Sequence, residues 1–463
     1  MVSPFVVVGT LVSAPSYGEL ACDRGRAVAV DSAGRIAGVG DADAASLARL
    51  CDLVGCDSAE GVLVLPDGHA LCPGFIDIHI HAPQFSYTGT ATDKPLMDWL
   101  EHYTFPSEAR LGADLHEARE VYAGVVHQTL RQGTTTAMYF ATVHQEPCTV
   151  LLEVLDQLGQ RALVGKVCQD RNSSDGVLET TEGSLHATEA FIQHIRRLEG
   201  GQAGRLHPVI TPRFVPTCSP SLLSGLGELA AKYDVHVQSH ISESKDQVAF
   251  VEALHPGERD TQIFASSGLL THKAVMAHGT QLTESELKQL AAAGTALAHC
   301  PLSNFFFGDG LLSVAQCRRL GVKVGLGTDV AGGYSPSMLS AIRNAVITHK
   351  VLAMQSPGSR DQPAAEKGAE LDYRHAFWLA TRGSAEALGL QDDIGSLEIG
   401  KKFDVLQLDL GAYSGTPYQV FERDSDLDKM QKWVNLADDR SIRRVWVDGR
   451  LVVPFSGHTS GPS

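Results

Sequence analysis

Hydrophobic and polar positions follow two rhythms along the central part of the chain. Short runs of β-branched and apolar residues, which predict strands, alternate with longer stretches whose apolar residues recur every three or four positions, which predicts amphipathic helices. The predicted strands are "LCPGFIDIHIH", "GTTTAMYFA", "RALVGKVCQD", "LHPVITPRF", "DVHVQSHISE", "KAVMAHG", "GTALAHCPLSN" and "VKVGLGTD". Because the alternation is regular throughout, it favours an α/β fold of the closed (β/α)8 barrel type, in which the last strand returns beside the first.

The two ends of the chain show a different pattern. Their sequences, such as "RAVAVDSAGRIAGVG" and "IRRVWVDGRLVVPF", predict short strands and turns with little helix. We expect both ends to meet in one small β-sandwich. The predicted units are the N-terminal part of the sandwich at 1–70, the barrel at 71–388, the C-terminal part of the sandwich at 389–456 and a disordered tail at 457–463.

Composition and charge narrow the possible partners and locations. A length of 463 residues fits a large barrel plus a smaller appended unit, and a formal net charge of -16 disfavours binding to nucleic-acid phosphates. No apolar run approaches the roughly 18 residues of a membrane helix, and the start lacks the features of a signal peptide, so we expect a cytosolic protein without a membrane partner. The nine cysteines form no CxxC pair, which predicts neither disulfides nor a thiolate zinc site.

Side chains of the types that bind metals stand at several predicted strand ends. His79 and His81 are two positions apart, so both point to one side of a strand, while His240, His278 and Asp329 end three later strands. The strands of a barrel bring their C-terminal ends to one rim, where active sites are built. A single histidine is more often packed in a core than bound to a metal, but this combination predicts a metal site.

The same motifs resemble a known family. "PGFIDIHIH", "HISE", "MAHG" and "GTD", in this order and with the split sandwich, resemble the amidohydrolase superfamily. Further motifs, among them "YTFP", "TPRF", "AHCPLSN" and "GLGTDVAGGYSPSM", resemble the branch of that superfamily that deaminates guanine. The resemblance implies a (β/α)8 barrel with one Zn²⁺ per subunit, guanine and water as substrates, and a homodimer in the cytosol.

The resemblance also implies roles for individual residues. The implied zinc ligands are His79, His81, His240 and Asp329, with His278 near the metal-bound water. The implied catalytic residues are Glu243, as a proton shuttle, together with Asp329 and His278. The implied substrate contacts are Gln84, Arg213 and Phe214.

Elementary chemistry agrees with these roles. A zinc ion lowers the pKa of its water from about 15.7 to about 7, and Glu243 can then move a proton to the ring, although a carboxylate beside a helix N-terminus is also common for structural reasons. Arg213 carries only donors and suits the O6 carbonyl of guanine, and Gln84 offers both a donor and an acceptor. Phe214 either stacks on the purine ring or packs against neighbouring side chains of the protein.

Three alternatives remain open at this point. A binuclear cyclic-amide hydrolase of the same superfamily needs a carboxylated lysine at the end of the fourth strand, where "VITPRF" has none and Lys166 comes one strand early. A deaminase of cytosine, a triazine or a nucleoside keeps the metal set but changes "TPRF". A metal-free scaffold protein keeps only the fold. The HxE and PCxxC motifs of nucleic-acid deaminases are absent at usable spacing.

Overall fold

A computed structural model describes residues 2–57, 60–90, 93–199, 204–308, 310–355, 371–411 and 416–454. The predicted tail at 457–463 lies outside these residues. Among the described helices, none combines the length and the apolar character needed to cross a membrane. All nine cysteines are free thiols, so the prediction that the chain has no disulfide framework is confirmed.

Strands occupy both the central part of the chain and its two ends. Within the described residues they are β1 (Phe5–Ser13), β2 (Ala21–Val30), β3 (Ile36–Asp41), β4 (Val62–Val64), β5 (His69–Pro73), β6 (Phe75–His81), β7 (Thr134–Phe140), β8 (Arg161–Gly165), β9 (Val167–Cys168), β10 (Leu206–Pro212), β11 (His236–Ile241), β12 (Ala274–His278), β13 (Ala296–His299), β14 (Lys323–Leu326), β15 (Val405–Asp409), β16 (Ile442–Val447) and β17 (Arg450–Val453).

Helices lie between most of the central strands. Within the described residues the α-helices are α1 (Ala44–Val54), α2 (Leu96–Trp99), α3 (Phe105–Ala113), α4 (Leu115–Arg131), α5 (Gln145–Leu158), α6 (Thr181–Glu199), α7 (Pro220–Tyr233), α8 (Lys245–Leu254), α9 (Asp260–Ser266), α10 (Glu284–Ala293), α11 (Pro301–Phe307), α12 (Val314–Arg319), α13 (Met338–Gln355), α14 (Tyr373–Trp378), α15 (Ser384–Ala387) and α16 (Asp426–Leu436). Short 3₁₀ turns occupy Ala82–Tyr87, Asp175–Val177, Val215–Thr217 and Asp439–Ser441, and single π turns occupy Leu100–Thr104 and Leu379–Gly383.

The central strands form a barrel of parallel strands in the order β14-β13-β12-β11-β10-β8-β7-β6, with β9 paired to β10. Each of the eight predicted strands contributes one of them. The first and last strands meet through backbone hydrogen bonds from Asp329 N to His79 O (2.9 Å) and from His81 N to Val330 O (3.0 Å). The predicted (β/α)8 fold is therefore confirmed.

The two ends of the chain build a second sheet, in the order β17-β16-β15-β5-β1-β2-β3, with β4 also paired to β1. The C-terminal strand β15 lies antiparallel to the N-terminal strand β5, which leads directly into the first barrel strand β6. The prediction that both ends contribute to one β-structure is confirmed, and the sheet is joined to the barrel by the shortest possible connection.

The expectation of little helix at the two ends was wrong for α1 and α16. The Asp43 side chain accepts a hydrogen bond from Ser46 N at the start of α1, and the side chains of Ser425 and Asp428 form a capping box at the start of α16. Leu50 of α1 packs on the second sheet in a small apolar cluster. These cap residues are the sequence signals that a strand-centred interpretation overlooked.

A buried charged cluster joins the barrel to the second sheet. Arg161, the first residue of β8, donates from Nε to Asp404 Oδ2 (2.9 Å) and from Nη2 to Asp448 Oδ1 (2.8 Å). Lys402 Nζ lies 3.1 Å from the same oxygen of Asp448. Because Arg161 stands at the N-terminal end of its strand, this cluster lies at the face of the barrel where stability is usually determined.

Candidate active site

Five of the predicted site residues meet at the C-terminal rim of the barrel. His79 and His81 end β6, His240 lies near the end of β11, His278 ends β12 and Asp329 follows β14. All five are buried. His278 and Asp329 leave their strands with positive φ values of 72° and 50°, a costly conformation for such residues that is often found at functional sites.

The ring nitrogens and the carboxylate of this rim cluster face one another at short distances. His81 Nε2 lies 3.3 Å from His79 Nε2 and 3.1 Å from His240 Nε2. Asp329 Oδ1 lies 3.2 Å from His79 Nε2 and 3.4 Å from His81 Nε2. The ligand atoms of His79, His81 and His240 therefore lie within 4.8 Å of one another, and Asp329 joins His79 and His278 in a second group of the same kind.

Neighbouring groups fix the tautomers of two of these histidines. His240 Nδ1 lies 2.7 Å from the carbonyl oxygen of Arg213, and His278 Nδ1 lies 3.1 Å from Asn304 Oδ1. Since both oxygens can only accept, each Nδ1 carries a proton. Burial lowers the pKa of His240, so its ring is neutral and its Nε2 presents a lone pair. His278 Nε2 is buried and has no hydrogen-bond partner among the described residues.

A divalent metal ion fits this set of donors. Four tetrahedral ligands at about 2.0–2.1 Å from zinc lie about 3.3–3.4 Å from one another, close to the separations in the rim cluster. Burial lowers the pKa values of His79, His81 and His240, which keeps their rings neutral as ligation requires. Burial alone would raise the pKa of Asp329, but the adjacent imidazoles outweigh it and keep the carboxylate ionised.

Glu243 stands beside this cluster, just before α8. Its Oε1 lies 3.4 Å from His278 Nε2. The backbone is held on both sides, because Glu243 N donates to Gln247 Oε1 (3.0 Å) and Thr280 Oγ1 donates to Glu243 O (2.6 Å). Burial raises the pKa of Glu243 to about 7, so the carboxyl group is poised to gain and lose a proton near neutral pH.

A cleft with an empty volume of about 420 Å³ opens over the rim. Its lining residues are His81, Gln84, Leu96, Trp99, Leu100, Arg213, Phe214, His240, Glu243, Phe307, Asp329 and Gly332. A polar floor and apolar walls of this kind are typical of a small-molecule site.

All three predicted substrate contacts line this cleft. Gln84 lies in the 3₁₀ turn after β6, and its Oε1 accepts a hydrogen bond from Ala331 N at 3.1 Å, which leaves the amide NH₂ as its free donor. Arg213 and Phe214 directly follow β10. At Gly332 a Cβ atom would lie 2.9 Å from Asp329 Oδ2, so only glycine leaves the carboxylate accessible there.

Several residues near the cleft were missed by the sequence interpretation. Glu108 and Gln169 hold the guanidinium of Arg213 from behind, and Trp99 contacts Phe307 edge-on, with 5.6 Å between ring centroids. Glu108 lies two residues after the motif "YTFP", and Gln169 lies within the predicted strand "RALVGKVCQD". Their helical or strand-end positions carry no ligand-type spacing, which is why periodicity did not single them out.

Lys166, considered as a bridging ligand for a second metal, lies elsewhere. Its Nζ donates to Glu179 Oε1 at 2.6 Å and to the carbonyl oxygen of Val167 at 3.0 Å. The side chain is thus committed to an ion pair, and the geometry does not favour the binuclear alternative.

The barrel, its appended sheet and the histidine–aspartate rim define a class of hydrolase. The chain belongs to the amidohydrolase family, whose model matches residues 70–452.

Individual relatives narrow the comparison further. The chain is 44% identical over 390 residues to the guanine deaminase of Rattus norvegicus, covering 83% of each protein. Among solved structures it is similar to a guanine deaminase from C. acetobutylicum with bound guanine (29% identity, TM-score 0.85, covering 97% of this chain and 99% of that one). It is also similar to an adenosine deaminase from Xanthomonas campestris with bound zinc (26% identity, TM-score 0.80, covering 96% and 92%).

Proposed function

We propose that this chain is a zinc-dependent guanine deaminase that hydrolyses guanine to xanthine and ammonia as a step of purine catabolism. The observation that carries the proposal is the cleft itself, in which a cluster of metal-ligand atoms, a proton carrier and an arginine converge within one small volume. The similarity to guanine deaminases over most of the chain supports the same substrate.

In this proposal His79, His81, His240 and Asp329 hold one Zn²⁺. The donors, three neutral imidazoles and one carboxylate, are of the kind found in catalytic zinc sites. A bound zinc ion supplies a hydroxide nucleophile at neutral pH. His278, whose Nε2 lies 3.7 Å from Asp329 Oδ2, forms a hydrogen bond with the attacking water and orients it.

The chain's own residues move the protons. Glu243 accepts a proton from the water and donates it to N3 of guanine as the oxygen adds to C2, because its pKa near 7 allows both states. Asp329 accepts the second proton from the added hydroxyl, and that proton is passed to the amino group, which leaves as ammonia. The products, xanthine and ammonia, balance guanine plus one water.

Three residues position the base. Arg213 donates to the O6 carbonyl, which accepts only, and the free NH₂ of Gln84 donates to an acceptor of the purine ring. Phe214 covers the ring face. An adenine amino group opposite Arg213 would place donors against donors, which disfavours adenine and its nucleoside as substrates.

The decisive experiment is an absorbance assay of the purified chain with guanine, adenine, cytosine and guanosine, with and without a chelator. We expect guanine alone to be converted, xanthine to appear in equal amount and the chelator to abolish turnover. Conversion of another base, or loss of guanine without xanthine, would reject the proposal.

A second test separates proton transfer from metal binding. Glu243→Gln keeps the shape of the side chain but cannot carry a proton, so turnover should fall by about 10²–10⁴-fold. Elemental analysis should still find one zinc ion per chain, because Glu243 is not a ligand. Unchanged turnover would remove the proton-shuttle role.

We also propose that the protein is a homodimer in the cytosol. Within each chain, the barrel extends from residue 71 to residue 388, and the two parts of the β-sandwich lie before and after it. The free thiols support a reducing compartment, where disulfides do not persist. Light scattering during gel filtration measures the mass in solution, and a mass of one chain would reject the dimer.

A further inference from the structure

We propose that Glu108 and Gln169 are specificity-determining positioning residues: they fix the Arg213 guanidinium so that the cleft selects a ring carbonyl over a ring amino group. Neither residue lines the cleft. The inference rests on the proposed function, since it concerns the same purine edge that Arg213 faces.

The guanidinium of Arg213 is held at two edges and one face. Its Nε donates to Gln169 Oε1 at 2.7 Å, and its Nη2 donates to Glu108 Oε2. The ring of Phe105 covers one face, with 5.4 Å from the guanidinium carbon to the ring centroid. Nη1 forms no hydrogen bond within the described part of the chain, so its N–H groups can donate to a substrate, and their orientation is set in advance.

Gln169 is itself held in a single orientation. Its Nε2 donates to the carbonyl oxygen of Val177 at 2.8 Å, which requires that its Oε1 face Arg213. The backbone of Arg213 is fixed as well, because its N–H donates to Cys168 O at 3.2 Å. The chain of contacts behind Arg213 therefore leaves no alternative rotamer of Gln169 that keeps its hydrogen bonds.

Glu108 holds the Arg213 guanidinium away from the carboxylates that line the cleft. The cleft contains two further carboxylates, Glu243 and Asp329, either of which would attract a free guanidinium. Arg213 and Glu108 are 3% and 1% exposed, so their charges are barely screened by water. Glu108 holds the cation on the far side and keeps it from pairing with the groups that move protons.

A fixed set of donors discriminates between substituents at the same ring position. The O6 carbonyl of guanine accepts hydrogen bonds from Nη1 of Arg213. The amino group of 2,6-diaminopurine would instead place its N–H donors against the N–H donors of Arg213, and these buried polar groups would remain unpaired. If the guanidinium were free to turn away, it would escape this clash. Loss of Glu108 or Gln169 should therefore weaken guanine binding and relieve the rejection of the diamino analogue together.

The test compares Glu108→Gln and Gln169→Leu with the wild-type holoenzyme, using guanine as substrate and 2,6-diaminopurine as inhibitor. We expect the KM for guanine to rise by about 10-fold in each variant and kcat to stay within about 3-fold. The Ki for 2,6-diaminopurine should fall, so that the preference for guanine, as Ki over KM, falls by more than about 10-fold. The control is Asp404→Asn, which disturbs a buried ion pair of the same kind at the other end of the barrel and should keep the wild-type preference.

Each outcome of this experiment either supports or overturns the inference. If the wild type converts guanine and both variants keep its preference, the inference is overturned and the proposed function stands. If Asp404→Asn lowers the preference equally, general destabilisation explains the effect and the inference is also overturned. If Glu108→Gln does not fold, Gln169→Leu alone decides, because it leaves the ion pair intact. If the wild type does not convert guanine, the proposed function itself fails and the inference fails with it.

Discussion

Two clusters of buried charged side chains lie at opposite ends of the barrel strands. At the N-terminal face, Arg161 pairs with Asp404 and Asp448, and Lys402 also pairs with Asp448. Every charged group in this cluster therefore lies within 3.1 Å of an opposite charge. At the C-terminal rim the closest atoms around Asp329 are the Nε2 atoms of His79 and His81, and burial lowers the pKa values of both rings. The first cluster is balanced by protein charges, whereas the second brings together side chains that could hold a metal ion.

This difference separates stability from function within one fold. Balanced buried ion pairs hold the second sheet against the barrel, and breaking such a pair leaves an uncompensated charge. Acceptor groups crowded together oppose folding, and they persist in natural proteins where activity requires them. Each cluster should therefore respond to substitution in a different measurement.

The largest effect is expected for Asp329→Ala. We expect turnover of guanine to fall by at least about 10³-fold, because the proposed function makes Asp329 both a metal ligand and a proton acceptor. Elemental analysis should show loss of zinc. In the presence of a chelator the variant should melt no lower than the wild type, because the ligand cluster does not stabilise the metal-free fold. A clearly lower melting temperature under these conditions would contradict the contrast between the clusters.

Arg161→Met should have the opposite profile. The variant leaves Asp404 and Asp448 with Lys402 as the nearest cation, so the free energy of unfolding should fall by about 3–5 kcal/mol in urea titrations. The kcat/KM for guanine should change by less than about 3-fold at a temperature where the variant is folded.

The matched control for Arg161→Met is Arg119→Met, which removes the exposed ion pair with Glu153. Exposed pairs contribute at most about 1 kcal/mol, so this change should be nearly neutral. Equal losses of unfolding free energy in Arg161→Met and Arg119→Met would show that the buried cluster contributes no more to stability than an exposed ion pair.

The sequence predicted the rim better than the opposite face, for a physical reason. His79 and His81 are recognisable because a strand places alternate residues on one side, and the barrel strands follow from the hydrophobic pattern. Arg161 and Asp404 are 243 positions apart, and no local pattern pairs them. The same holds for Glu108 and Arg213, whose contact depends on how α3 packs over the rim.

Asp77 lies beside the rim cluster but differs from both clusters: hydrogen-bond donors surround its carboxyl group, and burial raises its pKa to about 7. Its Oδ1 accepts from His79 N (3.2 Å) and Thr328 N (3.1 Å), and its Oδ2 accepts from Thr328 Oγ1. It thereby joins the first barrel strand to the segment that carries Asp329, and we assign it to the stabilising group.

Smaller effects than at Asp329 and Arg161 are therefore expected at Asp77. Asp77→Ala leaves buried donors unpaired and should lower the free energy of unfolding by about 1–3 kcal/mol, with zinc affinity reduced by about 10–100-fold as His79 loses its support. Asp77→Asn keeps an acceptor for the two N–H groups, while its NH₂ can donate to Thr328 Oγ1. It should therefore retain nearly full stability, zinc content and turnover. A loss of turnover in Asp77→Asn as large as in Asp329→Ala would instead place Asp77 among the groups that act in the reaction, and the division between the two clusters would have to be redrawn.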